Sequence, residues 1–283
     1  MDISIVTPCF NSIRWIDLCL RSVRHSLQGR SYEHIVCDGG STDGTLEYLR
    51  QQKDIQLIAG PDKGMYDALN KGMATARGRF LGHLNADEQY DREGLNLALR
   101  QLEQTGADAV FGPTIMLDEH LDFLYLFNQT TVPRTIDADY QMPVQTCSLL
   151  YRRQIWEREP FPAEYRMAGD HVWIRRQFKK GWTLAPVHRP IGLFVWHPEQ
   201  LAPRHIGGQR ENPTPDVNRK SIGIKLAKLR YRLRNLVSGS FLPPPKLPYE
   251  IALPSGEIKA RTKRWPRLKM PRKEKRRLAT SRD

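Results

Sequence analysis

The sequence predicts an α/β fold in which a mainly parallel sheet is flanked by helices. Two patterns over residues 2–112 predict it: short apolar runs recur along the chain, and the stretches between them place apolar residues at helical spacing. Strands that alternate with helices are typical of parallel sheets covered by helices. Three of the apolar runs also end in polar turns that carry carboxylates, so we expect the functional site at the predicted strand ends.

The first half of the chain supplies the predicted sheet. The apolar runs predict strands at 3–7, 33–37, 55–59, 80–84 and 108–112. Helices are predicted at 13–27, 42–52 and 65–76. In the first helix, Ile16, Leu20 and Val23 fall on one face, which is how a helix covers a sheet and leaves its carboxyl ends open.

After residue 112 the pattern changes, and we expect this half to build the pocket of a second substrate. Two apolar runs around the polar residues 118–120 predict a hairpin. Further along we predict a strand at 145–152, a helix at 170–180 and a short strand at 183–187. Residues 198–215 are rich in proline, glycine and charge, which predicts a loop near the site.

Composition indicates a folded protein with an appendage. The chain has 283 residues, 40% of them hydrophobic, which is enough for one domain with a sizeable core. Its four cysteines lack the spacing of a zinc site or a redox pair, which predicts reduced core thiols and a cytoplasmic location. We find no signal-peptide pattern before the first strand and no apolar run of about 18 residues, so neither export nor a membrane span is expected.

The net charge of +13 belongs to the C-terminal segment. Residues 219–283 hold 20 Lys and Arg against 4 Asp and Glu, whereas residues 1–218 hold 24 against 27. We therefore divide the chain into a domain at 1–216 and a basic segment at 217–283, consisting of an amphipathic helix and a flexible tail. Apolar residues of that helix recur at steps of four and three among lysines and arginines: Ile222, Leu226, Leu229, Leu233 and Leu236.

The turn after the second predicted strand, residues 38–45 with the sequence DGGSTDGT, has the features of a nucleotide site. Glycines let the backbone approach a ligand, and Asp38 can accept hydrogen bonds from a base or a ribose. The start of the following helix favours an anion. A capped strand-to-helix turn without a ligand is the alternative.

A second candidate is the run DKGMYDALNKG at residues 62–72. Lys63 precedes a predicted helix whose first turns carry Asp67, Asn70 and Lys71, so a cation there could meet a diphosphate. An ordinary polar helix face is the alternative.

The predicted strand at 80–84 is followed by Asn85, Ala86, Asp87 and Glu88. A divalent cation held by one or two carboxylates would neutralise a pyrophosphate leaving group, which indicates Asp87 as a ligand of Mg²⁺ or Mn²⁺. Glu88 could supply a second oxygen, and Asn85 could bond a ribose hydroxyl. A surface turn is the alternative.

A reaction that moves a group from a nucleotide to a hydroxyl also needs a base, and Asp170 is the candidate. It opens a predicted helix, where backbone amides would keep its carboxylate ionised. A plain N-cap is the alternative. His171, the next residue, is a candidate contact to the substrate.

Together these motifs resemble the inverting family 2 glycosyltransferases of the Rossmann-like GT-A fold, especially bacterial enzymes of cell-surface polysaccharide synthesis. The resemblance covers about residues 2–210 and consists of four ordered matches, at 4–11, 38–45, 62–72 and 84–87. It implies a nucleotide-sugar donor, UDP-linked by frequency in the family, and a glycan or lipid-linked acceptor. It also implies a divalent cation, Mg²⁺ or Mn²⁺, and inversion of the anomeric carbon in a single displacement.

The resemblance implies a role for each matching residue. Asp87 would bind the metal and Asp170 would be the catalytic base, while Gln145 and His171 would face the acceptor. The residues implied to bind the donor are Thr7, Pro8, Phe10, Asn11, Asp38, Lys63, Asp67, Asn70, Asn85 and Ala86.

Three features depart from the family's pattern. In the DxD-type motif, Asn85 stands first and Glu88 follows the triplet where aspartate is usual. Val144 stands where histidine is expected, and the loop after Gly208 lacks the usual serine. A non-catalytic glycosyltransferase-like protein is therefore an alternative. A nucleotidylyltransferase is disfavoured, because residues 8–12 contain no glycine for a phosphate loop.

The basic segment at 217–283 predicts where the protein works. An amphipathic helix bordered by Lys and Arg suits the headgroup layer of an anionic membrane, so we expect a protein peripheral to the inner membrane face, near a lipid-linked acceptor. A helix packed on the body is one alternative, and a nucleic-acid-binding tail is another. The acidic balance of residues 1–218 and the lack of a recognised module argue against specific nucleic-acid binding.

Overall fold

A seven-stranded sheet forms the centre of the computed structural model, which describes residues 1–200, 211–218 and 220–270. The strands are β1 (Ile3–Cys9), β2 (Tyr32–Asp38), β3 (Gln56–Ala59), β4 (Phe80–His83), β5 (Glu88–Tyr90), β6 (Ala109–Phe111), β7 (Thr114–Leu117), β8 (Phe123–Phe127), β9 (Leu149–Arg152), β10 (Leu184–Pro186), β11 (Gly192–Val195), β12 (Lys246–Ala252) and β13 (Ile258–Arg264). The helices are α1 (Ile16–Ser26), α2 (Thr45–Arg50), α3 (Met65–Thr75), α4 (Arg92–Gln104), α5 (Thr135–Ala138), α6 (Arg153–Arg158), α7 (Gly169–Lys179) and α8 (Ile222–Val237).

The order of the central sheet determines where a ligand can bind. Its strands run β10-β6-β9-β4-β1-β2-β3, and neighbours are parallel except where β9 pairs with β4 and β6. The chain adds β2 and β3 on one side of β1 and then places β4 on the other side. This reversal leaves a crevice outside the carboxyl ends of β1 and β4, the usual ligand position in such sheets.

Strand β1 shows why the predicted sheet forms. All seven of its residues are buried, as expected of a central strand covered on both faces. Ile3 and Ile5 pack in a core cluster with residues of α1 and α4, whereas Val6 packs with residues of α3 and α7. Successive side chains thus contact opposite helical layers, and the predicted alternation of strands and helices is confirmed.

The structure adds a helix that the sequence analysis missed. Helix α4 begins after Asp91, whose side chain accepts a hydrogen bond from Gly94 N–H (3.0 Å). A Cβ at Gly94 would lie 1.6 Å from the carbonyl oxygen of Pro190, so glycine lets α4 approach the chain that enters β11. The apolar spacing of Leu95, Leu99 and Leu102 was a signal for this helix in the sequence.

The predicted strand at 145–152 is wrong in its first half. Residues Thr146–Ser148 form a turn of 3₁₀ helix, and the strand begins at Leu149. Ser148 Oγ accepts from Thr114 Oγ1 (2.7 Å) and from Gly192 N–H (3.0 Å), which holds this turn against β7 and β11. The predicted hairpin is confirmed, since β7 pairs with β8 in antiparallel fashion.

The basic segment contains more structure than expected. The predicted helix is present as α8, but residues 246–264 form the hairpin β12–β13 instead of a flexible tail. Leu247, Tyr249 and Ile251 of this hairpin are buried in a core cluster with residues of α1. The boundary at residue 216 stays a prediction, and residues 271–283 lie outside the described chain. Among the described helices, none has the length and apolar character needed to cross a bilayer.

Candidate functional site

The candidate site lies at the carboxyl ends of β1, β2 and β4. Asn11, two residues after β1, has a left-handed backbone (φ 47°), which asparagine tolerates. Its N–H donates to Ser41 Oγ (2.8 Å), and its side-chain oxygen accepts from Thr42 N–H (2.9 Å). These bonds join the turn after β1 to the turn after β2. Phe10 is 62% exposed at this rim.

Asp38 at the end of β2 is buried and shapes its own turn. One carboxylate oxygen accepts from Gly40 N–H (3.0 Å) and Ser41 N–H (2.9 Å), and the other accepts from Ser41 Oγ (2.6 Å). These are the hydrogen bonds of a capped strand-to-helix turn, the alternative to a nucleotide site at residues 38–45. Its contact with a nucleoside stays a prediction.

Thr7 does not face the crevice. Its side chain is fully buried, and its Oγ1 lies 2.9 Å from His34 Nε2 and 3.8 Å from Cys19 Sγ. The alternation of the strand turns this side chain toward α1, so a contact of Thr7 with the donor would involve its backbone and stays a prediction. Pro8 and Ala86 are buried as well.

Asn70 of α3 also serves packing. Its amide nitrogen donates to Phe161 O (2.8 Å), and its oxygen accepts from Phe161 N–H (3.0 Å) and from Trp156 Nε1 (3.0 Å). Because both ends of the side chain are engaged, Asn70 has a structural role, and its predicted donor contact stays a prediction.

The charged residues predicted in and just before α3 remain at the surface. Asp67 accepts from Lys63 N–H (3.0 Å) and forms an ion pair with Lys71 (3.0 Å), one helical turn away. The Lys63 side chain is exposed. Their contact with a diphosphate stays a prediction.

Replacement of Asn70 should destabilise the fold more than it weakens donor binding. We expect Asn70→Ala to lower the free energy of unfolding by about 1–3 kcal/mol, because Trp156 Nε1 and Phe161 N–H lose their acceptor. Urea denaturation measures this, with Gln51→Ala, an exposed amide, as control. Unchanged stability together with lost donor binding would restore the predicted ligand role.

The acidic strand end is built around a buried carboxyl group. Asn85 N–H donates to Glu88 Oε2 (2.8 Å), and the Asn85 side-chain oxygen lies 2.9 Å from His83 Nε2. Burial, reinforced by the charge of Asp87, raises the pKa of Glu88 to about 8. Burial thus favours the protonated form of Glu88, and its contact with a metal stays a prediction.

Asp87 faces two residues that the sequence analysis did not select. His197 Nε2 lies 2.8 Å from Asp87 Oδ2, and the Gln200 amide donates to the same oxygen (3.0 Å). His197 is buried beside the Trp15 ring, with the ring centroids 4.8 Å apart. Its Nδ1 has no hydrogen-bond partner among the described residues.

The donor set at Asp87 fits a divalent cation. Carboxylate oxygen and imidazole nitrogen are both ligands of first-row divalent metals. The described part of the chain contains no group of three or more His, Cys, Asp or Glu side chains that could hold a metal alone. Asp87 and His197 would therefore bind an ion together with oxygens of a bound diphosphate, as Mg²⁺ is commonly bound at phosphate sites.

Asp170 lies in the first turn of α7 and does not cap it. Its Oδ1 accepts from Tyr66 OH (3.1 Å) and from His171 N–H (2.7 Å). Burial raises the pKa of Asp170 to about 6. The N-cap alternative is not observed, since the cap residue is Ala168. The carboxylate is thus held in place and made more basic than an ordinary aspartate.

Two neighbours hold the start of α7. A Cβ at Gly169 would lie 2.6 Å from the Tyr66 ring, so glycine admits Tyr66 beneath the helix. The Glu211 carboxylate accepts from the N–H groups of Arg166 (2.6 Å), Met167 (2.9 Å) and Ala168 (2.9 Å). Both contacts order the backbone that carries Asp170.

The pH dependence of activity should follow the titration of the Asp170 carboxyl group. A base must be deprotonated, so kcat/KM is expected to rise with pH through about 6 and then to level off. Initial rates from about pH 5 to pH 7.5 test this, with circular dichroism at each pH as the control for folding. A flat profile, or a rate that falls as the pH rises over this range, would contradict the role of Asp170.

The two residues predicted on the acceptor side differ in their surroundings. His171 is buried, and its Nε2 lies 2.6 Å from Ala138 O, so it joins α7 to α5. This contact gives His171 a packing role, and its predicted contact with the acceptor stays a prediction. Gln145 is partly buried at the start of the 3₁₀ turn, and Val144 before it is fully buried. An acceptor contact of Gln145 stays a prediction.

Asp170 influences the strand end at Asp87 and Glu88 although it is distant from it in sequence. The charges of Asp87 and Asp170 both raise the pKa of Glu88, so Asp170 lies within electrostatic range of this strand end. The sequence analysis missed His197, Tyr66 and Gln200. The signals available were a histidine between Trp196 and Pro198 after an apolar run, and the tyrosine within the motif at 62–72.

Comparisons with known proteins show what this chain is similar to. Residues 4–157 match a family model described as Glycosyl transferase family 2. "Glycosyltransferase AglE" of Haloferax volcanii is 28% identical over 213 residues, covering 69% of this chain and 67% of the relative. A "PGL/p-HBAD biosynthesis glycosyltransferase" of Mycobacterium bovis is 34% identical over 175 residues, covering 59% of this chain and 66% of the relative. The chain thus spans about two thirds of the length of these curated relatives.

Solved structures resemble the fold. Staphylococcus aureus TarS in complex with UDP-GlcNAc gives a TM-score of 0.59 at 18% identity, over 75% of this chain and 62% of that one. The mannosyltransferase PcManGT of Pyrobaculum calidifontis, in complex with GDP-Man and Mn²⁺, gives 0.51 at 16% identity, over 84% and 63%. The predicted fold class, a mixed sheet flanked by helices as in GT-A structures, is confirmed.

Proposed function

Because the chain belongs to glycosyl transferase family 2, we propose that it moves a sugar from a nucleotide sugar to a hydroxyl group, with inversion at the anomeric carbon. Two carboxylates with different surroundings in one site support this proposal. Asp87 faces His197 and suits a cation at a leaving diphosphate, whereas Asp170 has the raised pKa of a base. Pairs of carboxyl groups with different environments commonly divide such roles.

The proposed reaction is a single in-line displacement. Asp170 takes the proton of the acceptor hydroxyl as that oxygen bonds to the anomeric carbon, and the bond from this carbon to the diphosphate breaks on the opposite face. Tyr66 and the backbone of His171 hold the carboxylate during the transfer. Asp87 and His197 would hold a divalent cation, which when bound neutralises the charge of the departing diphosphate.

The proposal also covers the donor, the acceptor and the place where the reaction occurs. Neighbouring structures hold UDP, UDP-GlcNAc or GDP-Man, which supports a nucleotide-sugar donor, and we propose a UDP-sugar. The proposed acceptor is a glycan or a lipid-linked sugar in the synthesis of cell-surface polysaccharide. We place this reaction at the cytoplasmic face of a membrane.

A thermal-shift screen tests the proposed donor. Full-length protein is heated with UDP-, GDP- or dTDP-sugars, each with and without Mn²⁺ or Mg²⁺. One nucleotide sugar with its cation is expected to raise the melting temperature, because ligand at about 100 times its Kd stabilises the native state by about 2.7 kcal/mol. Asp87→Asn is the matched variant, and its cation-dependent rise should vanish. No rise with any nucleotide sugar would contradict the proposed function.

A further inference from the structure

Helix α8 turns its apolar stripe away from the protein. The stripe, here called the outer face of α8, is 48–74% exposed at every position. Its residues are Ile222, Leu226, Leu229, Leu233 and Leu236. At about 100° per residue they lie within an arc of about 80°. A helix of a soluble body normally buries such a stripe, so this one is available to a partner.

The opposite side of α8 attaches it to the body. Ile224, Ala227 and Asn235 are buried there. Tyr231 OH donates to the Gln129 side chain (2.9 Å), and Arg234 forms an ion pair with the buried Asp137 of α5. The helix is thus anchored through its less apolar side, and the outer face is held in a defined orientation.

The apolar surface extends beyond the end of α8. Val237, Phe241 and Leu242 follow the helix and are 89%, 47% and 70% exposed. Trp265 is 68% exposed. Its backbone N–H donates to the carbonyl oxygen of Pro245 (3.2 Å), and Pro245 lies three residues after Leu242. Exposed aromatic and leucine side chains of this kind are typical of groups that enter a headgroup layer.

Basic residues border the outer face. Lys225 and Arg232 lie on one flank of the stripe and Arg230 lies on the other, at about 60° or less from its edges. All three are exposed. The sequence contains no Asp or Glu from residue 217 to 249. A second copy of this face would bring like charges together, whereas an anionic lipid surface complements them.

We propose that the outer face of α8, extended by Phe241, Leu242 and Trp265, docks the protein on an anionic lipid bilayer. The leucines and aromatic rings enter the headgroup layer, and the flanking lysine and arginines bind lipid phosphates. Each basic residue near such a surface contributes about fivefold in affinity, so several together support peripheral attachment.

A chain of contacts connects α8 to the helix that carries the candidate base. Arg234 of α8 pairs with Asp137 of α5, and Ala138 of α5 bonds His171, which adjoins Asp170. Docking would bring this side of the crevice near the bilayer, which favours an acceptor sugar presented on a lipid. This last step rests on the function proposed above, whereas the binding to lipid does not.

Vesicle co-sedimentation tests the docking surface without any substrate. The full chain is expected to sediment with vesicles of phosphatidylcholine and phosphatidylglycerol and to stay in solution with phosphatidylcholine alone. Leu229→Ser with Leu233→Ser, and separately Lys225→Glu with Arg232→Glu, should each lower the partition coefficient by about tenfold or more. Arg50→Glu with Lys53→Glu changes the net charge equally at exposed positions near α2 and should bind nearly as the native chain.

Melting curves of all variants verify that the fold persists, since the substituted side chains are exposed. Absence of sedimentation with anionic vesicles would overturn the docking surface, as would equal losses in the α8 and α2 charge variants. Self-association that depends on Leu229 and Leu233, without vesicle binding, would also overturn it by assigning the face to a second copy. None of these outcomes affects the donor test, so the two proposals fail separately.

Discussion

Asp170→Asn is expected to lower the rate of sugar transfer by about 10²- to 10⁴-fold, the usual contribution of a general base. Asparagine keeps an oxygen that can accept from Tyr66 OH and His171 N–H, so the geometry of the site should persist. It cannot take up the acceptor's proton. The loss should therefore appear in kcat, while the Kd of the nucleotide sugar stays near that of the native protein.

A pH profile distinguishes loss of a base from damage to the fold. Residual activity of Asp170→Asn should lack the rise near pH 6, because the group that titrates there is gone. Glu164→Gln is a suitable control, since its side chain is 64% exposed and pairs only at 3.6 Å with Arg176. Near-native turnover by Asp170→Asn would show that another group removes the proton.

Asp87→Ala is expected to abolish cation-dependent transfer. The loss should be about 100-fold or more, because stabilisation of transition-state charge by a metal is worth several kcal/mol and about 1.4 kcal/mol is tenfold in rate. EDTA should lower the activity of the native protein to a similar degree and should have little further effect on the variant. Rates measured over a titration of Mn²⁺ and Mg²⁺ provide the readout.

Two further variants separate the metal role of Asp87 from its contacts with the protein. Asp87→Asn keeps an oxygen for the Gln200 amide but weakens metal binding, so it should resemble Asp87→Ala in activity. Glu93→Gln removes an exposed carboxylate of α4 and should leave the rate unchanged. Activity that persists in EDTA, or native-like activity of Asp87→Ala, would contradict the metal role.

The sequence could predict the sheet because its signals are local. The run from Ile3 to Cys9 is mostly apolar, and the DGGSTDGT turn carries its own cap, since Asp38 bonds Gly40 and Ser41. Helix α7 begins one residue from its predicted start. Such features depend on neighbours within a few positions, so they leave a pattern in the sequence itself.

Side-chain roles at matching positions were less predictable. Thr7, Asn70 and His171 lie in or beside motifs of the site, yet each is engaged elsewhere in the core. Their partners are 27, 91 and 33 residues away in the chain. Which neighbour a polar side chain meets at such separations depends on the packed fold, and its residue type does not reveal it.

The basic segment shows the same division. Its charge and the spacing of its leucines predicted helix α8, but the sequence could not say which face would be buried. Burial of Ile224 and Ala227 on the body leaves the leucines outside, and Leu247, Tyr249 and Ile251 draw the following hairpin into the core. High charge in residues 259–264 therefore did not prevent order, because the partner strand supplies the apolar face.

The sequence by itself determined the α/β fold and the polar strand ends, and it indicated Asp87 at a strand end and Asp170 at the start of a helix. The tertiary structure decided that Asp87 meets His197, 110 residues further on, and that Asp170 rests on Tyr66, 104 residues before it. The physical reason is burial, a property of the folded chain. Burial raises the pKa of Asp170 to about 6 and favours the protonated form of Glu88, so carboxyl groups that look alike in the sequence differ in acidity in the fold.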